Sequence, residues 1–95
     1  LNMNTISDSS IDVIVTDPPW GEYQPLPLSP FDFYQKMLAE FRRVIKRDGR
    51  VVVLMGRSQE ENFKEAAQST EFSIAEKLNV LIAGKKADVY LLTLP

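Results

Sequence analysis

Apolar residues recur with two different periods along this chain. Ile11-Asp12-Val13-Ile14-Val15-Thr16 is a near-continuous β-branched run, which predicts a strand buried on both faces of a parallel sheet. From Phe33 the spacing changes. Phe33, Met37, Phe41 and Val44, with Tyr34, Leu38 and Ile45, recur at helical intervals and form one core stripe. Ser29 ahead of Pro30 and Asp32 reads as an N-cap with proline at the first helical position, so a helix is expected from there to about Arg47, with Gly49 placed to end it. Arg50 to Met55 reads as a second apolar strand stopped by Gly56. Ser58 and Glu61 form a capping-box pattern opening a second helix through about Gln68, with Phe63, Ala66 and Ala67 facing inward. Two further strands are expected, about Phe72 to Ile82 and Ala87 to Leu94, joined by a hairpin turn at Gly84-Lys85-Lys86. The expected order is strand, helix, strand, helix, strand, strand, an α/β arrangement. Residues 22–31, punctuated by prolines, are expected to form a loop after the first strand.

Composition narrows the chemistry. The 95 residues, 44% hydrophobic and 25% charged, suit a globular unit of at most one domain, with no internal repeat and no low-complexity segment. No stretch approaches the roughly 20 apolar residues of a membrane span and no signal-peptide pattern opens the chain; an intracellular, cytoplasmic protein is the expectation. The sequence has no cysteine and no histidine, which sets aside thiolate metal sites, zinc deaminases and histidine-based hydrolase triads. A formal charge of −2 is awkward for a stand-alone nucleic-acid binder, which relies on cations to hold phosphates. Arg42, Arg43, Lys46, Arg47 and Arg50 are a basic cluster suited to a solvated helix end, where cations complement the macrodipole.

The candidate chemistry lies directly after the first strand, in Thr16-Asp17-Pro18-Pro19-Trp20-Gly21. Taken alone, Asp-Pro-Pro is also an ordinary strand-ending turn, because proline cannot continue a central ladder and Asp readily caps nearby backbone. Following a β-branched strand and followed by an aromatic residue and a glycine, it resembles motif IV of the class I methyltransferases that use S-adenosylmethionine to methylate amino nitrogens of nucleobases. The element order adds to the resemblance. It is similar to the C-terminal half of the Rossmann-like class I methyltransferase fold: parallel strands four and five with flanking helices, then the antiparallel hairpin of strands six and seven. Residues 1–95 are therefore expected to be a partial methyltransferase domain. The glycine-rich turn of strand one is missing, since Gly21, Gly49, Gly56 and Gly84 show no Gly-x-Gly spacing. The chain also opens at Leu1 only shortly before motif IV, so it is expected to be a fragment of a longer protein.

For such an enzyme the residue types have a physical logic. The lone pair of an exocyclic amine is delocalised into its ring, so a site must hold the amine by its two hydrogens. The Asp17 carboxylate can accept one N–H and the Pro18 carbonyl the other, turning the lone pair toward the methyl donor. Pro19 adds no competing N–H and stiffens the turn, and the Trp20 indole offers a face on which a base can stack. Gly21, Glu22 and Tyr23 follow the motif and are candidate lining of the base pocket, with Arg57 at the end of the next strand as another edge. Asp17 also borders the expected S-adenosylmethionine site.

Within the family, Thr-Asp-Pro-Pro-Trp-Gly looks most like the THUMP-linked RNA methylases, which include tRNA guanine-N2 methyltransferases. That resemblance implies a tRNA substrate gripped by a module outside this chain. An N6-adenine or N4-cytosine methyltransferase acting on DNA or RNA, and an inactive methyltransferase-like scaffold, remain open as alternatives. Without its neighbour, the first strand exposes an apolar edge, and the isolated chain is expected to self-associate.

Overall fold

The computed structural model describes residues 3, 5–18 and 29–95. The elements are β1 (Ile11–Thr16), α1 (Pro30–Val44), β2 (Ile45–Gly56), a short 3-10 turn (Arg57–Gln59), α2 (Glu60–Ser69), β3 (Ser73–Ile82) and β4 (Lys85–Thr93). One four-stranded sheet has the order β1-β2-β4-β3. β1 and β2 are parallel, whereas β4 runs antiparallel to both β2 and β3.

Alternation along the strands decides which face carries the core. Val51, Val53 and Met55 of β2 and Tyr90 and Leu92 of β4 are buried beneath Tyr34, Met37, Leu38 and Phe41 of α1 and Phe63, Ala66 and Ala67 of α2. An aromatic chain ties the layers together. Tyr34 meets Phe63 edge-on at 6.1 Å between centroids, and Phe63 meets Tyr90 at 4.7 Å, separations at which aromatic pairs attract beyond their burial. Ser29 caps α1 as expected, its hydroxyl accepting the Asp32 N–H at 3.3 Å. The C-terminus of α2 closes by a Schellman pattern. Glu71 takes a left-handed φ of +61°, and the Phe72 N–H reaches back to the Ala67 carbonyl at 3.0 Å. Phe72, expected to open a strand, is thus the buried residue closing this helix.

The opposite face of the sheet has no cover among the described residues. Val13 and Val15 share it in register with Arg50 and Val52, and Leu78 shares it with Val89. Val13, Val15 and Leu78 are 55%, 74% and 63% exposed. This corrects the expectation that β1 is buried on both faces: the apolar run has two apolar sides, and only the side of Ile11 and Ile14 is packed on the core.

Three boundaries also differ from the sequence reading. α1 ends at Val44 and Ile45 turns to extended backbone (φ −73°, ψ 141°), so Ile45–Asp48 begin β2 rather than finish the helix. Ile11 pairs with Ile45 and Val13 with Arg50, a register shift that takes up the charged residues between. Gly49 is therefore a strand residue and not a helix cap. A Cβ there would lie 2.5 Å from Ile45 Cγ1 and 2.9 Å from the Asp12 carbonyl oxygen, so close approach of the chains requires the glycine. The expected capping box does not start α2, because the 3-10 turn holds Ser58 and the helix opens at Glu60 behind Gln59, with no side-chain cap bond. In the last hairpin the turn is Ala83-Gly84, with φ of +50° and +81°, and Ile82 pairs with Lys85. Two residues of positive φ are the type I′ geometry that suits strand twist, and they leave Lys85 and Lys86 in β4.

Candidate functional site

Parallel pairing brings the carboxyl ends of β1 and β2 to one edge of the sheet, where Thr16 lies opposite Val53 and β2 continues to Gly56. Antiparallel β4 enters at the same edge, with Ala87 opposite Gly56. Asp17 follows β1 directly and is exposed there, while Pro18 behind it is buried. An exposed carboxylate beside a buried proline lies here at the carboxyl edge of parallel strands, the edge at which open α/β sheets hold ligands. Pro19, Trp20, Gly21, Glu22 and Tyr23 lie outside the described residues. Among the described residues, no group of three or more His, Cys, Asp or Glu side chains is placed to hold a metal ion.

Arg57, a candidate pocket edge, turns toward β4, on the opposite side of β2 from Asp17. Its Nη2 donates to the Ala87 carbonyl at 3.1 Å and to Asp88 Oδ1 at 3.3 Å. Asp88 is completely buried, and Lys77 Nζ lies 4.0 Å from its other oxygen. Lys77 in turn pairs with Glu60 at the start of α2, which also lies 3.6 Å from Lys64. The hydrogen bond from Lys77 holds the Glu60 carboxyl below its ordinary range, and the same bond raises the lysine. Beside them the Tyr90 hydroxyl is buried without a hydrogen-bond partner among the described residues. Burial, helped by the negative charge of Asp88, pushes its ionisation upward. The sequence reading passed over this network. Its signal was a lone acidic residue at an inward position of an alternating strand, Asp88 sharing a face with Tyr90 and Leu92.

The basic cluster is not one helix end: Arg42 and Arg43 close α1, whereas Lys46, Arg47 and Arg50 stand on β2. Arg43 donates to Glu40 at 2.9 Å and Asp8 at 2.6 Å, and also to the carbonyls of Ile6 and Met3 at 3.0 and 2.9 Å. It thereby clamps the segment leading into β1 against the helix, and these carboxylates hold its guanidinium firmly charged. Arg42 donates to the Glu71 carbonyl at 3.1 Å, and Lys46 pairs with Asp12 at 3.0 Å. Lys46, Arg47 and Arg50 are exposed, as a solvated face requires, whereas Arg43 is part-buried and anchors backbone.

Comparison with known proteins places this arrangement. The chain is 28% identical over 83 residues to the tRNA (guanine(6)-N2)-methyltransferase of Methanocaldococcus jannaschii, an alignment covering 87% of this chain and 21% of the relative. It therefore spans about a fifth of the length of that curated relative. The crystal structure of TrmN from Thermus thermophilus superposes with a TM-score of 0.76 at 23% identity, covering 90% of this chain and 24% of that one. The PvuII DNA methyltransferase, cytosine-N4-specific, superposes with a TM-score of 0.72 at 14% identity, covering 94% of this chain and 44% of that one. At such identities the likeness shows the fold alone, a partial Rossmann-like methyltransferase sheet with its antiparallel C-terminal hairpin. The family model described as RMKL-like, methyltransferase domain (UPF0020) matches residues 1–88, and the chain belongs to that family.

Proposed function

We propose that the protein carrying this chain transfers a methyl group from S-adenosylmethionine to an exocyclic amino nitrogen of a nucleobase, guanine N2 in tRNA. The observation that carries the reading is the exposed Asp17 carboxylate with buried Pro18 at the carboxyl end of β1, in a chain of a methyltransferase-domain family. The relative from Methanocaldococcus jannaschii supports the choice of guanine N2.

The residues present fit one wall of a cofactor cleft. β1 is an edge strand among the described residues, and its carboxyl end presents the Asp17 carboxylate, a suitable acceptor for amino or hydroxyl groups, beside that open edge. When bound, S-adenosylmethionine supplies an electrophilic methyl group on its sulfonium. The work of this chain is positional. Asp17 accepts one amine N–H and the Pro18 carbonyl the other, which favours sp3 character at nitrogen and points its lone pair along the transfer axis. To the residues that follow in sequence this reading assigns the base pocket, with Trp20 as the stacking face and Pro19, Gly21, Glu22 and Tyr23 as its neighbours. Alignment of this kind can supply about 7–11 kcal/mol of the barrier. After transfer the nitrogen gives up its surplus proton to solvent, so no histidine is needed. A separate module, of the THUMP kind, supplies the grip on tRNA that a chain of formal charge −2 does not.

The test is nucleoside mass spectrometry after incubating the full-length protein and isotopically labelled S-adenosylmethionine with total tRNA, messenger RNA and DNA. Labelled N2-methylguanosine confined to tRNA is the expected result. Labelled N6-methyladenine or N4-methylcytosine would overturn the choice of guanine while keeping the two-acceptor site, and no label in any pool would favour a scaffold or a substrate other than nucleic acid. In the same assay Asp17→Ala is expected to lower kcat by about 10²–10³-fold, the cost of losing one preorganised partner of the reacting group. Cofactor affinity should change far less, and a full methylation rate in this variant would refute the mechanism.

A further inference from the structure

A groove of about 370 Å³ opens at the tip of the β3-β4 hairpin, lined by Arg57, Asn79, Val80, Leu81 and Lys86. It lies at the same sheet edge as Asp17, because β4 enters the sheet where β2 ends. Its two cations are held differently. Arg57 is about one-third exposed and is anchored from behind through Nη2 by the buried Asp88 carboxylate and the Ala87 carbonyl. Lys86 is exposed and has no ion-pair partner among the described residues. Beside them on β3 are Asn79, in register with Asp88, and Leu81, in register with Lys86 and 70% exposed.

We propose that this groove binds the polynucleotide strand flanking the target nucleotide, with Arg57 and Lys86 on its phosphates, Asn79 on a sugar or base edge and Leu81 against a base face. The inference rests on the proposed action on RNA and extends it from the reacting base to its neighbours. Charge complementarity argues for this occupant: a chain that is acidic overall presents here a guanidinium fixed by a buried carboxylate, next to a lysine with no anion of its own. Arg suits a fixed phosphate contact because its planar fork loses little freedom on binding once anchored. Spacing agrees as well. β3 is the third strand from β1, so the groove stands about 15 Å across the sheet from the line of Asp17, a span that a strand with its target base at Asp17 crosses with its neighbouring nucleotides.

The test uses the full-length protein and the RNA it methylates. Lys86→Ala is expected to raise KM for RNA several-fold and to reduce the slope of log affinity against log salt by about one, the signature of a lost phosphate contact. The defect should lie in KM rather than kcat, with cofactor affinity preserved. Leu81→Ala is expected to weaken RNA binding without changing the salt slope. Wild-type methylation of RNA, with Lys86→Ala matching wild type in both KM and slope, would overturn the groove and leave the proposed reaction standing. If the wild-type protein binds no nucleic acid and labels a protein instead, the groove and the reaction fall together.

Discussion

Tyr90 carries a polar group into the buried face of the sheet. Its ring belongs to the core, packed on Phe63, while its hydroxyl has no hydrogen-bond partner among the described residues. An unsatisfied buried hydroxyl costs about 1–3 kcal/mol, so Tyr90→Phe is expected to hold or raise stability, by about 1 kcal/mol, when denaturant midpoints are compared at neutral pH. The pH dependence has a definite sign. Burial raises the phenol above its ordinary value, so the folded state keeps this proton while the unfolded chain loses it near pH 10. The associated stability is complete below the unfolded pKa and declines as pH rises beyond it toward the folded value. Tyr90→Phe should therefore flatten the alkaline limb of the stability profile, and an unchanged limb would show that the phenol is not held neutral. Legibility at this scale followed chemistry. The position of Asp17 and Pro18 could be read directly, because it depends only on where β1 stops. The Arg57, Asp88, Lys77 and Glu60 network could not, because it joins residues of different elements only once β3, β4 and α2 have packed.

At the level of elements, local signals were readable where side chain and backbone agree. The Ser29-Pro30 start of α1, the stripe from Phe33 to Val44 and the inward Phe63, Ala66 and Ala67 are all present in the fold. The misplaced boundary at Val44 shows what overrides them. Lys46, Arg47 and Asp48 are acceptable in a helix, and a glycine after a basic run is an ordinary helix stop, yet strand pairing to Ile11 draws Ile45 into β2. Gly49 then serves packing rather than capping, which separates the two roles experimentally. At a left-handed cap, alanine would suffer from its φ; here it suffers from the Ile45 side chain and the Asp12 carbonyl. Gly49→Ala is expected to destabilise by about 1–3 kcal/mol, the usual range for overpacking. Trimming the opposing side chain to its Cβ removes both clashing carbons, so Gly49→Ala/Ile45→Ala should cost less than the sum of the two single changes. Simple additivity of the two effects would argue against the contact.

The molecule as a whole presents one finished face and one unfinished. α1 and α2 seal the side of Val51, Val53, Tyr90 and Leu92, but Val13, Val15 and Leu78 stand exposed on the other, and β1 has a single strand neighbour among the described residues. An apolar sheet face of this kind joined to an unpaired strand edge is a ready template for association. The 95-residue chain taken by itself is therefore expected to sediment as dimers or larger species as concentration rises. Val15→Lys, which puts charge on the exposed face without touching the packed one, should shift it toward monomer. The same substitution reports on the longer protein. If other segments cover this face there, Val15→Lys should lower its melting temperature, because a lysine would then be buried without a partner. If the face is open in that setting too, the substitution should be silent for stability and act only on association. A wild-type chain that stays monomeric at high concentration would remove the premise for the association effect, because the face and edge would then be tolerated in water as they stand, and would leave the melting-temperature test of cover in the longer protein untouched.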